Sequence, residues 1–311
     1  MTGLVLVTGA SGFAGSHLLE HLSARTEVVA WARSAPPAAL ASLARWERVD
    51  LLDRDRVRAA ARALRPGRVY HCAGRPHVAE SWTDSAEPLA ANVRATHYLL
   101  DALRRADARS RVLITGSATV YAPSSRPLSE EAPIAPTSPY ALSKLAQEQL
   151  GLRAIDEDGV EVVVTRSFNH TGARQRPAFF APSVARQIAR IERRLQEPVI
   201  RVGNMETQRD FLDIRDVVRA YVALMHSGES GTIYNVASGV ARPVRAVLAA
   251  LASHARVPIR IDTDPARLRP NDTPVVVGDA ARLRRATGWS PVIPFEQMLE
   301  DLLDYWRSIE A

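Results

Sequence analysis

Three things are scarce in this 311-residue chain: cysteine, long apolar runs and lysine. The single cysteine, Cys72, excludes an intramolecular disulfide and a cysteine metal cluster, and no metal is expected. The longest apolar runs, such as Leu4–Val7 and Val162–Val164, fall far short of the ~20 residues that span a bilayer. No membrane partner is expected. From Met1 the chain passes almost directly into a strand-like run, so no signal peptide is read and a cytoplasmic location is expected. Of the 40 basic residues, only Lys144 is a lysine. Arginine and lysine are interchangeable on a solvated face, but not where a compact, rotatable donor is needed.

What is present suits a globular protein. Hydrophobic residues make up 46% and charged residues 24%, enough for a full core. The formal charge is +6, but the arginines are scattered among Asp and Glu with no basic tail. Nucleic-acid binding is therefore not expected, and an anionic small molecule fits the excess as well.

β-Branched runs alternate with helical patterns through the first half. Strands are predicted at 4–8, 27–31, 48–51, 68–73, 111–115 and 161–166, and helices at 13–24, 87–105 and 139–156. Such alternation implies a parallel sheet covered on both faces, an α/β doubly wound (Rossmann) architecture. The less regular second half predicts a smaller interleaved α/β substrate-binding lobe. The expected division is a dinucleotide-binding domain over 1–168, with 211–239 returning to it, and a lobe of 169–210 and 240–311.

Two constellations carry chemistry. The first is Gly9, Ala10, Ser11, Gly12, Phe13, Ala14 and Gly15, between a strand and a helix. Its first glycine permits a tight turn, the second a close approach to a pyrophosphate, the third helix–strand packing. The helix N-terminus then offers N–H donors to phosphate. The end of the second strand lacks the acid that would bind the ribose hydroxyls of NAD. It has Arg33, which suits a 2′-phosphate, so NADP(H) is expected ahead of NAD(H). Asp50 and Leu51 could flank the adenine, while Asp50 could equally cap a helix beginning near Arg54.

The second constellation is Ser138-Pro139-Tyr140-Ala141-Leu142-Ser143-Lys144. Ser138 suits an N-cap and Pro139 the first helical position, which puts Tyr140 and Lys144 on one face at i and i+4. An ammonium beside a phenol is expected to lower its pKa and fit it for acid–base work. Ser117, at the end of an upstream strand, offers a hydroxyl to complete the site.

The chain resembles the extended short-chain dehydrogenase/reductases that act on nucleotide sugars. The resemblance rests on TGASGFAG at 8–15, HCAG at 71–74, GSATVY at 116–121, SPYALSK at 138–144, SFNHTGARQ at 167–175, RDFLDIRDV at 209–217, YNVASG at 234–239, RPNDTPVVVGD at 269–279 and TGWSP at 287–291. It is most similar to the branch of GDP-mannose 4,6-dehydratases and GDP-4-keto-6-deoxy-mannose reductases. The resemblance implies Ser117, Tyr140 and Lys144 as the catalytic triad, with Lys144 also holding the nicotinamide ribose. It further implies Ala73 and Gly74 as cofactor neighbours, Asn169 at the substrate, and Arg209 and Arg269 as phosphate clamps. A GDP-linked nucleotide-diphosphate sugar is the implied partner. A homodimer through the helices near 88–105 and 139–156 is implied as well. The loop histidines His77 and His170 are left out of the catalytic set.

The reaction is narrowed by one position. In the 4,6-dehydratases an acidic residue two places after the catalytic Ser or Thr supplies the base. Here that place holds Thr119, and a hydroxyl cannot replace a carboxylate as base. Dehydration is disfavoured. The expectation is NADPH-dependent reduction of a nucleotide-linked 4-keto-6-deoxyhexose, with 4-epimerisation on bound NAD as the alternative. A non-catalytic dinucleotide sensor would have no need of the Tyr–Lys pair.

Overall fold

The computed structural model describes residues 4–76, 80–264 and 273–310. In chain order the elements begin with β1 (Val5–Thr8), α1 (Phe13–Ser23), β2 (Val28–Ala32), β3 (Arg45–Arg48), α2 (Arg54–Leu64) and β4 (Arg68–His71). Two short turns, α3 (Glu80–Thr83) and α4 (Ala86–Pro88), lead to α5 (Ala95–Arg105), β5 (Arg111–Ser117), α6 (Pro139–Asp158) and β6 (Glu161–Ser167). Then come β7 (Asn169–Thr171), α7 (Phe180–Glu192), β8 (Val199–Val202), β9 (Gln208–Asp213), α8 (Ile214–Ser227) and β10 (Ile233–Val236). The described part closes with β11 (Ala241–Pro243), α9 (Val244–Ser253), β12 (Arg260–Thr263), β13 (Val275–Val276), α10 (Ala281–Thr287) and α11 (Phe295–Ile309).

Seven parallel strands form the main sheet in the order β3-β2-β1-β4-β5-β6-β10. Both faces are buried because successive side chains point to opposite sides. Val5 and Val7 of β1 pack with Leu18 and Leu22 of α1 and with Val217 and Leu224 of α8. Leu6 faces the other way and joins Val57 of α2, Leu99 and Leu103 of α5 and Ala154 of α6. The strand order reverses beside β1, where crossovers leave to opposite sides and open a crevice at the carboxyl ends.

A smaller sheet joins β11, β9 and β13, with β7 also pairing β9, and β8 pairs β12 separately. A third apolar core packs α7, α9 and α11 around Ile200, Leu251 and Leu302. Leu283 of α10 and Trp289 belong instead to the core on the α1–α8 face of the main sheet.

Three local expectations are corrected. The third strand is Arg45–Arg48, not 48–51. It is the sheet's edge strand and carries no apolar run, whereas Val49 and Leu51 are buried just beyond its end. The helix expected over 87–105 is broken, since residues 89–94 wind as a π-helical stretch. That stretch carries the buried Asn92, whose side chain accepts from the Arg75 backbone N–H (2.9 Å) and donates to the Ser143 hydroxyl (2.9 Å). The N-cap of α2 is Asp53, which accepts from Arg56 N–H at 3.0 Å, while Asp50 turns back to Leu52 N–H at 3.0 Å. Reading Asp50 as the cap is therefore corrected.

Candidate active site

The predicted site residues collect at the carboxyl edge of the main sheet. Gly9 follows β1, Ala73 and Gly74 follow β4, Ser117 ends β5, and Asn169 lies just past β6. Gly9 has φ +65°, and a Cβ on it would sit 2.6 Å from the Ala73 backbone. A Cβ on Gly15 would sit 2.3 Å from the Gly9 carbonyl oxygen. The loop therefore folds this tightly only with glycine at both places. Gly12 caps α1 without any side-chain hydrogen bond, and both Ser11 and Gly12 are exposed. Uncapped N–H groups at an open helix terminus bind phosphate, so these residues fit a dinucleotide.

Phe13 and Ala14 enter α1, with the Phe13 ring stacked on His170 at 5.7 Å between centroids. His170 bonds the Phe168 carbonyl through Nδ1 at 2.8 Å, and burial pushes its pKa down, so it stands as a neutral packing partner. Arg33 is exposed just beyond β2, and its carbonyl accepts from Arg48 Nε at 3.0 Å. Asp50 is exposed beyond β3, while Leu51 is buried in the core on the α2 face.

Ser138 caps α6 by accepting from Ala141 N–H at 3.1 Å, with Pro139 opening the helix. Tyr140 and Lys144 are buried one turn apart. The Ser117 hydroxyl bonds the Tyr140 phenol and lies 3.0 Å from the Thr119 hydroxyl. The phenol departs from expectation. Burial pushes its pKa up to about 12, with only the Ser117 hydrogen bond opposing. Lys144 donates not to Tyr140 but to the Thr115 carbonyl and the Gln147 amide oxygen, both at 2.8 Å. Burial also brings the ammonium down to about 8. Tyr140 thus holds its proton at neutral pH.

The substrate residues are less concentrated. Asn169 is exposed on β7, opposite Phe211 of β9, and Arg209 lies two places earlier on β9. Arg209 bonds the carbonyls of Gln208 and Thr273, both at 2.8 Å. Arg269 and His77 lie outside the described residues. Sequence reading overlooked Thr115, Gln147 and Asn92. Of these only Gln147 left a local trace, three residues after Lys144 on the same helix.

The family described as GDP-mannose 4,6 dehydratase matches residues 6–302. The chain belongs to that family. The resemblance to nucleotide-sugar short-chain dehydrogenase/reductases is borne out, as are the doubly wound fold and the reading as an enzyme. GDP-6-deoxy-D-mannose reductase of Pseudomonas aeruginosa is 39% identical over 99% of this chain and 98% of its own length. The solved structure of RMD from Pseudomonas aeruginosa complexed with NADPH superposes with a TM-score of 0.87 at 37% identity, covering 99% of this chain and 100% of that one. UDP-glucose 4-epimerase of Azospirillum brasilense is 31% identical over 98% of this chain and 92% of its own length. Within the family, the place two residues past Ser117 is therefore informative, and here it is a hydroxyl. Among the described residues, no helix is long and apolar enough to cross a membrane.

Proposed function

We propose that the chain reduces the C4 ketone of GDP-4-keto-6-deoxymannose, giving GDP-rhamnose or its C4 epimer. The observation that carries this reading is the pairing of Ser117 with Tyr140 and with Thr119, which puts a hydroxyl where elimination would need a carboxylate. The name of the 39% identical reductase supports it.

The glycine loop and the exposed Arg33 would hold NADPH in preference to NADH. When bound, NADPH supplies the hydride for C4. Tyr140 hands its phenolic proton to the forming C4 alkoxide, which is far more basic than a phenolate. Ser117 donates a hydrogen bond to the same oxygen and steadies its charge. Lys144, its ammonium fixed by the Thr115 carbonyl and the Gln147 amide oxygen, would hold the nicotinamide ribose. Tyr140 recovers its proton from solvent after release. The lobe of 169–210 and 240–311 would hold the nucleotide sugar through Asn169, Arg209 and Arg269. A homodimer through α5 and α6 completes the reading, supported by the exposed Leu142 on α6 and Leu89 in the π-helical stretch that leads into α5.

The experiment follows NADPH absorbance with GDP-4-keto-6-deoxymannose. One NADPH consumed per ketone supports the reductase. Sugar interconversion with co-purified NAD and no cofactor consumption would establish the epimerase instead. Sedimentation of the purified protein tests the dimer.

A further inference from the structure

A chain of buried hydrogen bonds runs from Lys144 to the strand that carries the glycine loop. Lys144 Nζ donates to Gln147 Oε1 at 2.8 Å, and Gln147 Nε2 donates to Thr96 Oγ1 on α5 at 2.8 Å. Thr96 Oγ1 donates in turn to the Asn92 carbonyl at 2.6 Å. His71 of β4 lies 2.8 Å from Thr96 Oγ1 through Nε2 and 2.8 Å from Thr8 Oγ1 through Nδ1. Thr8 immediately precedes Gly9. Thr8, His71, Thr96 and Gln147 are fully buried.

Donor counting fixes every direction. A lysine ammonium has only donors, so the Gln147 oxygen must face it and the Gln147 NH₂ must face Thr96. The single Thr96 proton goes to the Asn92 carbonyl, so Thr96 accepts from both Gln147 and His71. His71 is then the neutral Nε2–H tautomer, and its Nδ1 accepts from Thr8. The ammonium thus has one acceptor from the backbone, Thr115, and one from a side chain, Gln147. No alternative orientation of Gln147 keeps the chain satisfied.

We propose that Gln147 is a positioning residue for the reaction, acting through Lys144. Its amide oxygen holds the ammonium charged and aimed along the helix face, and Thr96 with His71 holds the amide in register. This rests on the catalytic reading of Lys144 given above. The titratable groups facing the ammonium are Cys72 and His71 at the end of β4, with Tyr140 one turn earlier on its own helix. Glu148, next to Gln147, is already paired with Arg166. None of these supplies a carboxylate to the ammonium, so a loss at Gln147 has no substitute.

The lone lysine makes the test direct. Protein labelled with [ε-¹³C]lysine gives one resonance, whose titration reads Lys144 without any assignment. Wild type should titrate near pH 8. Gln147→Leu removes an acceptor and should lower the midpoint by about one pH unit, and Gln147→Glu adds a countercharge and should raise it by at least as much. The basic limb of the kcat profile for NADPH consumption should move the same way in each variant. If Gln147→Leu fails to fold by circular dichroism, Gln147→Asn, whose shorter amide cannot reach the ammonium, takes its place. Unchanged lysine midpoints in folded variants overturn the proposal, because a merely structural glutamine would lower stability and leave the titration where it was. An inactive wild type with a normal lysine titration would overturn the reductase reading instead. Active variants with unshifted profiles would overturn only the role of Gln147.

Discussion

The Arg166 guanidinium and the Glu148 carboxylate meet side-on inside the protein, Nε to Oε2 at 2.9 Å and Nη2 to Oε1 at 2.6 Å. Both side chains are buried, and the pair ties β6 to α6 one residue after Gln147. Arg166 also donates to the Glu130 carbonyl and lies 4.7 Å over the Tyr121 ring. Removing one partner leaves an uncompensated buried charge, which costs about 3–5 kcal/mol. Glu148→Ala should lose that much in urea unfolding. The double replacement Arg166→Met with Glu148→Leu should lose less, since neither charge then remains. A Glu148→Ala protein as stable as wild type would mean that water reaches the guanidinium.

Tyr140→Phe removes one oxygen and keeps the ring that packs behind it. Among the described residues the phenol's polar partner is Ser117, so the fold should tolerate the loss. Turnover should fall ~10²–10⁴-fold, the usual worth of a positioned proton donor. NADPH affinity, read by nucleotide fluorescence, should stay within a few-fold. Near-normal turnover would assign the proton to another group.

Arg33 stands exposed beyond β2, where a dinucleotide's adenosine ribose would lie if the glycine loop holds its phosphates. A hydrogen bond to a charged group is worth about 1.5–3 kcal/mol, or ~10–150-fold. Arg33→Asp should lower kcat/KM for NADPH by that factor and leave NADH no worse, since an acid there suits the ribose hydroxyls. The ratio of the two constants is the measurement. An unchanged ratio would move the 2′-phosphate contact to Arg48, which bonds the Arg33 carbonyl.

The parts legible in the sequence were local or buried on both faces. β1, β5 and β6 show as apolar runs because helices cover both their sides. Gly9, Gly15, Tyr140 and Lys144 show because their chemistry fixes short spacings. β3 was misplaced because an edge strand with Arg45 and Arg48 exposed carries no apolar pattern. The Tyr140 pKa was expected to fall because spacing alone puts an ammonium nearby. Spacing says nothing of burial, which dominates, nor of Thr115 and Gln147, which take the ammonium's hydrogen bonds. The path from Gln147 through Thr96 to His71 joins three distant segments, and no local pattern announces it.

His71 makes stability depend on pH in a definite direction. Its ring is enclosed, with Thr96 accepting on one side and Thr8 donating on the other, and burial brings its pKa down to about 3 from 6.5, with the Lys144 charge adding to the shift. In the unfolded chain the same ring titrates near 6.5. Above that pH both states are neutral and the contribution is complete. As pH falls below 6.5 the unfolded state takes up a proton that the folded state refuses, so stability is lost down to about pH 3. The slope contributed by this one group approaches about 1.4 kcal/mol per pH unit. Burial depresses His170 and His21 in the same direction, so the total slope of wild type is the wrong quantity to read. The difference between wild type and His71→Asn isolates the group. Urea unfolding at intervals from pH 8 to pH 5 should show the variant less stable at pH 8 and the gap narrowing steadily below 6.5. Parallel curves would mean that His71 finds a proton acceptor in the folded protein, and the donor count through Thr96 would have to be redrawn.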